Sequence, residues 1–279
     1  MVVSFDNMNH DWLVRMVEER VNDRAFIRLI KKWLRAGILE EDGSVIHPQT
    51  GSPQGGIVSP VLSNICLHFV LDLWFEKEVA KGCLGRCKLI RYADDFVCAF
   101  ESATEARAFE ARLKERLAKF GLEVAEEKTR TLKFTKRGGK ENGKFDFPGF
   151  EFRWGLSRGG KDIVKRRTSP KKLQPSLVKF TEWIRKYRSL KVRNLLGMLK
   201  RMLTGYGNYY AITGNSRSVG MYFRRVGEIL FKWLNRRSQR RSYTWKGFNR
   251  LLKRFGVACP KVKRIGEDQP ELGLHVVVL

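Results

Sequence analysis

Two short apolar runs, Lys88 to Ile90 and Phe96 to Phe100, flank the polar tip Tyr92-Ala93-Asp94-Asp95. Runs of this length on both sides of a turn-forming pair predict two antiparallel strands joined by a tight turn. The turn fixes more than local shape, because it carries two adjacent carboxylates. Like charges so close repel and favour a cleft where cations neutralise them. The rest of the fold must therefore supply a core behind the two strands and an open side in front of the turn.

The flanking sequence supplies that core. Trp12, Met16 and Val17 share one helical face, and Phe26, Ile27, Ile30 and Leu34 share another, stopped by Gly37. Ile38 to Ile46 alternates around Asp42-Gly43, a hairpin signal. Ser59-Pro60 reads as a cap with a first-turn proline, ahead of the apolar face Val61, Leu62, Ile65, Phe69 and Leu73. Ser102 with Glu105 resembles a capping box before the stripe Ala106, Phe109, Leu113, Leu117 and Phe120, which ends at Gly121. Strands are predicted at Leu122 to Ala125 and Thr131 to Phe134, and Phe145 to Trp154 reads as an aromatic hairpin broken at Pro148-Gly149. Helices are predicted over 175–187, 191–204, 217–235 and 245–255, with glycine-rich joints at 205–207 and 214. The fold class is α+β: a small antiparallel sheet with packed helices over 1–155, a linker over 156–174, a basic all-α region over 175–260 and a tail over 261–279.

Charge divides the chain the same way. Residues 1–150 hold 24 Lys and Arg against 22 Asp and Glu, whereas residues 151–279 hold 31 against 7. So few acids in the second half leave a field that attracts polyanions, nucleic acid foremost. The five cysteines, Cys66, Cys83, Cys87, Cys98 and Cys259, are scattered without the histidine spacing of a zinc site and read as reduced structural thiols. No apolar run approaches the ~18 residues of a membrane span, which predicts a cytoplasmic protein without a membrane partner.

Metal, then, is expected on oxygen. Asp94 and Asp95 are the candidate catalytic and metal-ligating residues. Two magnesium ions about 3.5–4 Å apart would activate a primer hydroxyl and steady the departing pyrophosphate in nucleotidyl transfer. An Asp-Asp pair is also an ordinary turn dipeptide, so the surrounding motifs decide between the two.

Tyr92-Ala93-Asp94-Asp95 resembles the signature of reverse transcriptases, and the run from Gly51 to Asn64, with Pro53, Gln54, Gly55 and Gly56, is similar to the loop and helix those enzymes use at the nucleotide site. Gly121-Leu122 with Glu127-Lys128-Thr129 resembles the next family segment, and Phe147-Pro148-Gly149-Phe150 the primer grip, where leucine is more usual than Pro148. The order and spacing of all four agree. Leu203 to Tyr210, Leu230 to Arg237 and Trp245-Lys246 resemble the thumb and maturase region of group II intron proteins, so the resemblance spans roughly residues 4–255.

The resemblance implies a palm followed by a thumb and maturase region, RNA-directed DNA polymerase activity, magnesium with manganese as the alternative ion, and intron RNA, an RNA template with a DNA primer, and dNTPs as partners. It further implies help in splicing and insertion, in a bacterial or organellar nucleoprotein. Tyr92, Ala93, Pro53, Gln54, Gly55, Gly56 and Lys128 become candidate nucleotide and template contacts. Tyr206, Tyr209, Tyr210, Arg236, Arg237, Arg240, Arg241, Trp245 and Lys246 become candidate RNA contacts, although helical spacing suits the aromatics to core packing as well as to stacking on bases. One departure stands out. The family's third carboxylate lies six residues before the aspartate aligned with Asp6, which falls before Met1, so the chain is expected to be truncated and impaired in synthesis by itself. A non-catalytic intron-RNA-binding splicing cofactor, and a reverse transcriptase of a retron, diversity-generating or CRISPR-associated element, are the alternatives.

Overall fold

A computed structural model describes residues 3–4, 8–36, 38–39, 45–46, 58–125, 127, 129–135, 143–157, 159–237, 239, 242–262 and 274–278. In chain order the elements are β1 (Val3–Ser4), α1 (His10–Glu18), α2 (Arg24–Arg35), β2 (Ile38–Leu39), β3 (Val45–Ile46), α3 (Ser59–Leu67), α4 (Ala80–Gly82), β4 (Cys87–Tyr92), β5 (Asp95–Phe100), α5 (Ala103–Ala118), β6 (Glu123–Val124) and β7 (Arg130–Phe134). There follow β8 (Phe145–Phe147), β9 (Phe150–Leu156), β10 (Asp162–Thr168), α6 (Pro170–Tyr187), α7 (Val192–Tyr210), α8 (Ser216–Leu234), α9 (Trp245–Arg254) and β11 (Leu274–Val278). The chain divides into two compact units, Met1–Gly143 with Glu271–Leu279, and Lys144–Pro270.

In the first unit, α1 and α2 begin where a side chain can hold the open N–H groups of the first turn. Asn9 Oδ1 accepts from the Asp11 and Trp12 amides, and Asp23 Oδ1 from those of Ala25 and Phe26. Leu13, Val14, Met16 and Val17 of α1, with Ile27, Ile30 and Leu34 of α2, enter the core. Trp12 and Phe26, expected on those faces, are each 42% exposed; Trp12 packs against Phe120 at its edge, and Arg15 lies over its ring. β2 and β3 pair as the expected hairpin, whose turn lies outside the described residues.

The N-cap position of α3 is Val58, without a side-chain cap hydrogen bond, so the expected Ser59 cap does not form, and Pro60 lies in the first turn. It runs on through two π-helical stretches, His68–Asp72 and Phe75–Val79, into α4. The widened turns keep Val70, Leu71, Trp74, Phe75 and Val79 on the core while Asp72 faces β4. The capping box of α5 forms by half. Ser102 accepts the Glu105 amide at 3.5 Å, but the Glu105 carboxylate accepts from Leu84 N–H at 2.7 Å instead of returning to Ser102. Ala106, Phe109, Leu113 and Leu117 bury the predicted stripe, and Gly121 ends it with φ 71°.

The main sheet has the order β4-β5-β11-β7, antiparallel throughout. Its third strand comes from the segment expected to be a tail. Val276, Val277 and Val278 are buried between β5 and β7, Val277 opposite both Cys98 and Thr131. Three consecutive β-branched residues suit a strand covered on both faces.

The second unit begins with a three-stranded sheet, β10-β9-β8. Two expectations change here. Residues 162–168, read as linker, pair with β9 over seven residues from Asp162↔Leu156 to Thr168↔Phe150, and the hairpin β8–β9 belongs to this unit and not to the first. The charges of Lys165, Arg166 and Arg167 had masked the strand period. Likewise α7 runs unbroken through the glycines expected to form a joint. A Cβ on Gly207 would meet Pro260 at 2.8 Å, so this glycine serves close packing. Phe180 and Ile184 of α6, Leu195, Leu199 and Leu203 of α7, Val226 and Leu230 of α8, and Phe248 of α9 form one core. The mixed α+β class holds.

Candidate active site

β4 and β5 pair from Cys87↔Phe100 to Tyr92↔Asp95, which leaves Ala93 and Asp94 as a two-residue loop. Ala93 has φ 55°, the only left-handed non-glycine backbone among the described residues. An L-residue held there costs about 1–2 kcal/mol. Its neighbour Arg91 supplies the restraint. Arg91 Nε and Nη2 donate to the two Asp72 carboxylate oxygens at 2.8 and 2.6 Å, while Nη1 donates to Asn64 Oδ1 at 2.7 Å and to the Ala93 carbonyl at 2.9 Å. A fork-to-fork pair of this kind fixes direction as well as distance. His68 Nδ1 lies 3.6 Å from the same Asp72 carboxylate. The π-helical stretch, α3 and β4 thus converge on the backbone of the turn.

That turn presents Tyr92 with 61% of its surface exposed, and Asp94 and Asp95 half-buried. The two carboxylates are hard oxygen donors of the type magnesium takes. Among the described residues no three His, Cys, Asp or Glu side chains gather as a metal site, so the pair offers part of a ligand set. Behind the turn Phe96 and Cys98 are fully buried. Burial holds the Cys98 thiol well above its ordinary value and pushes Cys66 up to about 12, so both are neutral packing groups. Pro53, Gln54, Gly55, Gly56, Lys128 and Asp6 lie outside the described residues.

A family model described as reverse transcriptase (RNA-dependent DNA polymerase) matches residues 3–152, the stretch that contains this turn. The chain belongs to the reverse transcriptase family. The resemblance drawn from Tyr92-Ala93-Asp94-Asp95 is thereby confirmed. Among sequence relatives, the putative COX1/OXI3 intron 1 protein of Saccharomyces cerevisiae is 33% identical over 110 residues, 39% of this chain and 13% of that protein. Group II intron-encoded protein LtrA of Lactococcus lactis subsp. cremoris is 41% identical over 80 residues, 26% of this chain and 13% of LtrA. An uncharacterized 91 kDa protein in cob intron of Schizosaccharomyces pombe is 44% identical over 72 residues, 26% of this chain and 9% of that protein. The chain spans no more than 13% of the length of any of these three.

The remaining candidate site residues among those described lie in the second unit. Phe147, Pro148, Gly149 and Phe150 form the β8–β9 turn, with Gly149 at φ 82°. Tyr209 and Tyr210 meet this turn directly. The Tyr209 hydroxyl donates to the Pro148 carbonyl, both rings pack on Phe150 at 5.6 and 5.3 Å, and a Cβ on Gly149 would sit 2.9 Å from the Tyr210 hydroxyl. The Ser169 amide donates to the Gly149 carbonyl at 2.9 Å. Tyr206 is stacked on Tyr222 at 3.8 Å, and burial pushes the Tyr222 phenol up to about 12. Trp245 stacks face to face on Phe231 at 3.9 Å and is exposed over 46% of its surface. Arg236 and Lys246 are exposed, whereas the Arg237 guanidinium donates to the Leu190 carbonyl. Arg240 and Arg241 lie outside the described residues.

Sequence reasoning gave no role to Arg91 and Asn64, which lie in or beside the motif segments, and missed Asp72. The signal was present: Asp72 is the one acid on the helical run from Val61 to Phe75, and an acid inside so apolar a stretch needs a partner.

Proposed function

We propose that the chain is the palm and thumb part of a group II intron reverse transcriptase and maturase. It would copy RNA into DNA with two magnesium ions, manganese being the alternative, and bind intron RNA to assist splicing and insertion. Asp94 and Asp95 would hold the ions together with substrate phosphates and water. Tyr92, Ala93, the segment Pro53 to Gly56 and Lys128 contact the nucleotide and template, and the Phe147 to Phe150 turn grips the primer. The basic second half, with Tyr206, Tyr209, Tyr210, Arg236, Arg237, Arg240, Arg241, Trp245 and Lys246, meets RNA in a cytoplasmic or organellar nucleoprotein.

The observation that carries this reading is an aspartate pair on a braced hairpin turn, inside a reverse transcriptase match, followed by a half with 31 basic and 7 acidic residues. Intron proteins among the relatives favour the group II branch, and no helix of the described residues is long and apolar enough to cross a membrane. Primer extension on poly(rA)/oligo(dT) tests it. Magnesium-dependent extension, by the chain or by a longer protein that contains it, is expected to be lost in Asp94→Asn and in Asp95→Asn. Extension that persists undiminished in both folded variants would remove the polymerase part of the proposal.

A further inference from the structure

In the second unit a cavity of about 1100 Å³ opens between the β9–β10 hairpin and the first turns of α8. Arg153, Lys165, Arg166, Arg167, Arg217 and Arg224 line it, and no acid does. Glu151 answers Arg167 through two hydrogen bonds of 2.8 and 3.1 Å, and Arg166 Nε donates to the Thr213 carbonyl. The other ion pairs of this unit, Lys144 with Glu151, Lys171 with Asp146 and Arg225 with Glu228, leave Arg153, Lys165, Arg217 and Arg224 uncompensated among the described residues.

Three features show that this repulsion is built in. Arg153 and Lys165 stand directly opposite each other in the β9–β10 register, where like charges destabilise a sheet. Arg217 and Arg224 lie seven residues apart on one face of α8, about 10.5 Å along its axis. The first turn of α8 contains no acid, and its N-cap residue Asn215 does not cap it. Asn215 is fully buried and spends its amide elsewhere, accepting from Thr168 N–H at 2.7 Å and donating to Thr168 Oγ1 and the Tyr210 carbonyl at 2.8 and 2.9 Å. That bridge ties the start of α8 to β10 and holds the two cationic walls of the cavity in place.

The geometry points to this cavity as a binding track for the phosphodiester backbone of a nucleic acid. Cations distributed along two walls fit a chain of phosphates better than one small anion, and arginine forks match phosphate oxygens. The inference rests on the nucleic-acid-binding part of the proposed function and gives it a location that the motifs do not include. Structured intron RNA and an RNA–DNA template–primer hybrid share this backbone chemistry, and the test separates them.

The experiment is filter binding of the full chain to a structured RNA and to an RNA–DNA hybrid, at about 50 to 300 mM salt. The variant Arg153→Ala/Arg217→Ala/Arg224→Ala removes three lining charges. A control, Arg24→Ala/Arg28→Ala/Lys32→Ala, removes three exposed charges from α2. Loss of three phosphate contacts should lower the slope of log K against log salt by about 2–3 with the ligand that occupies the track, and the control should not. A second variant avoids removing any native contact. Gly220 lines the cavity, and a Cβ there meets nothing within 4 Å, so Gly220→Glu adds a carboxylate at an open position of the cationic wall. It should weaken binding about tenfold or more at low salt, with Gly220→Gln near wild type. An effect confined to the RNA assigns the track to intron RNA, one confined to the hybrid assigns it to template–primer, and an effect on both assigns a shared track. Equal slopes for triple variant and control, with Gly220→Glu like Gly220→Gln, would overturn the inference while a steep wild-type slope left RNA binding intact. A wild-type slope near zero would instead remove the parent reading.

Discussion

Arg91→Ala removes four hydrogen bonds from the base of the aspartate turn at once. The Arg91 and Asp72 side chains are 14% and 25% exposed, so water reaches the pair only in part. Breaking a buried pair by removing one partner costs about 3–5 kcal/mol, and an exposed pair contributes about 0–1 kcal/mol. A site between these limits should lose about 2–3 kcal/mol. Urea unfolding of Arg91→Ala, Asp72→Ala and the double variant gives the coupling between the two, expected at about 1.5–2 kcal/mol. Arg91→Lys keeps the charge but loses the fork, and should recover less than half of the loss. The consequence extends to the turn, because Arg91 also holds the Ala93 carbonyl. Amide exchange at Ala93 and Asp94 should accelerate in Arg91→Ala by more than the global loss of stability explains. A loss below about 0.5 kcal/mol, with unchanged exchange at the turn, would refute the idea that this network holds the carboxylates in position.

Further outcomes follow from other parts of the first unit. Ala93→Gly should leave stability unchanged or raise it by up to about 1 kcal/mol in urea unfolding, because relief of the left-handed backbone offsets the entropy glycine adds to the unfolded chain; a loss would show that the turn is unstrained. Val277→Asp puts a carboxylate at a fully buried position opposite Cys98 and Thr131 and should cost about 3–5 kcal/mol, seen as lost amide protection along both β5 and β7. Cys66 has its folded value raised to about 12, above an unfolded value near 8.5–9, so its contribution is complete below pH 8.5 and declines as pH rises toward 12. Wild-type stability should therefore fall faster than that of Cys66→Ala above pH 9, by up to about 1.4 kcal/mol per pH unit.

Much of this architecture was legible because hydrophobic period and turn chemistry agree locally. The stripe from Ala106 to Leu117, the hairpin around Ala93-Asp94 and the Gly149 turn each carry their own signal within a dozen residues. What was not legible depends on distant partners. β11 is recognisable as a strand from its valines, yet its place between β5 and β7 depends on edges more than 130 residues earlier in the chain. β10 was hidden because its cations face a cavity and not a core. At the site, the motif located Asp94 and Asp95, while the Arg91, Asp72 and Asn64 brace depends on a π-helical register that side-chain period does not reveal. Tyr209 and Tyr210 were candidate RNA contacts by the maturase resemblance, and their packing on the Phe147 to Phe150 turn gives them a structural part that spacing alone left open.

Iron-directed cleavage asks whether the paired acids of the β4–β5 loop hold a divalent ion. Ferrous iron substituted for magnesium generates radicals that cut the backbone within a few ångströms of where it binds. Scission concentrated between Tyr92 and Phe96, suppressed by excess magnesium and absent from Asp94→Asn and Asp95→Asn, is the expected pattern. Cleavage that ignores this loop, or persists unchanged in both asparagine variants, would contradict the account.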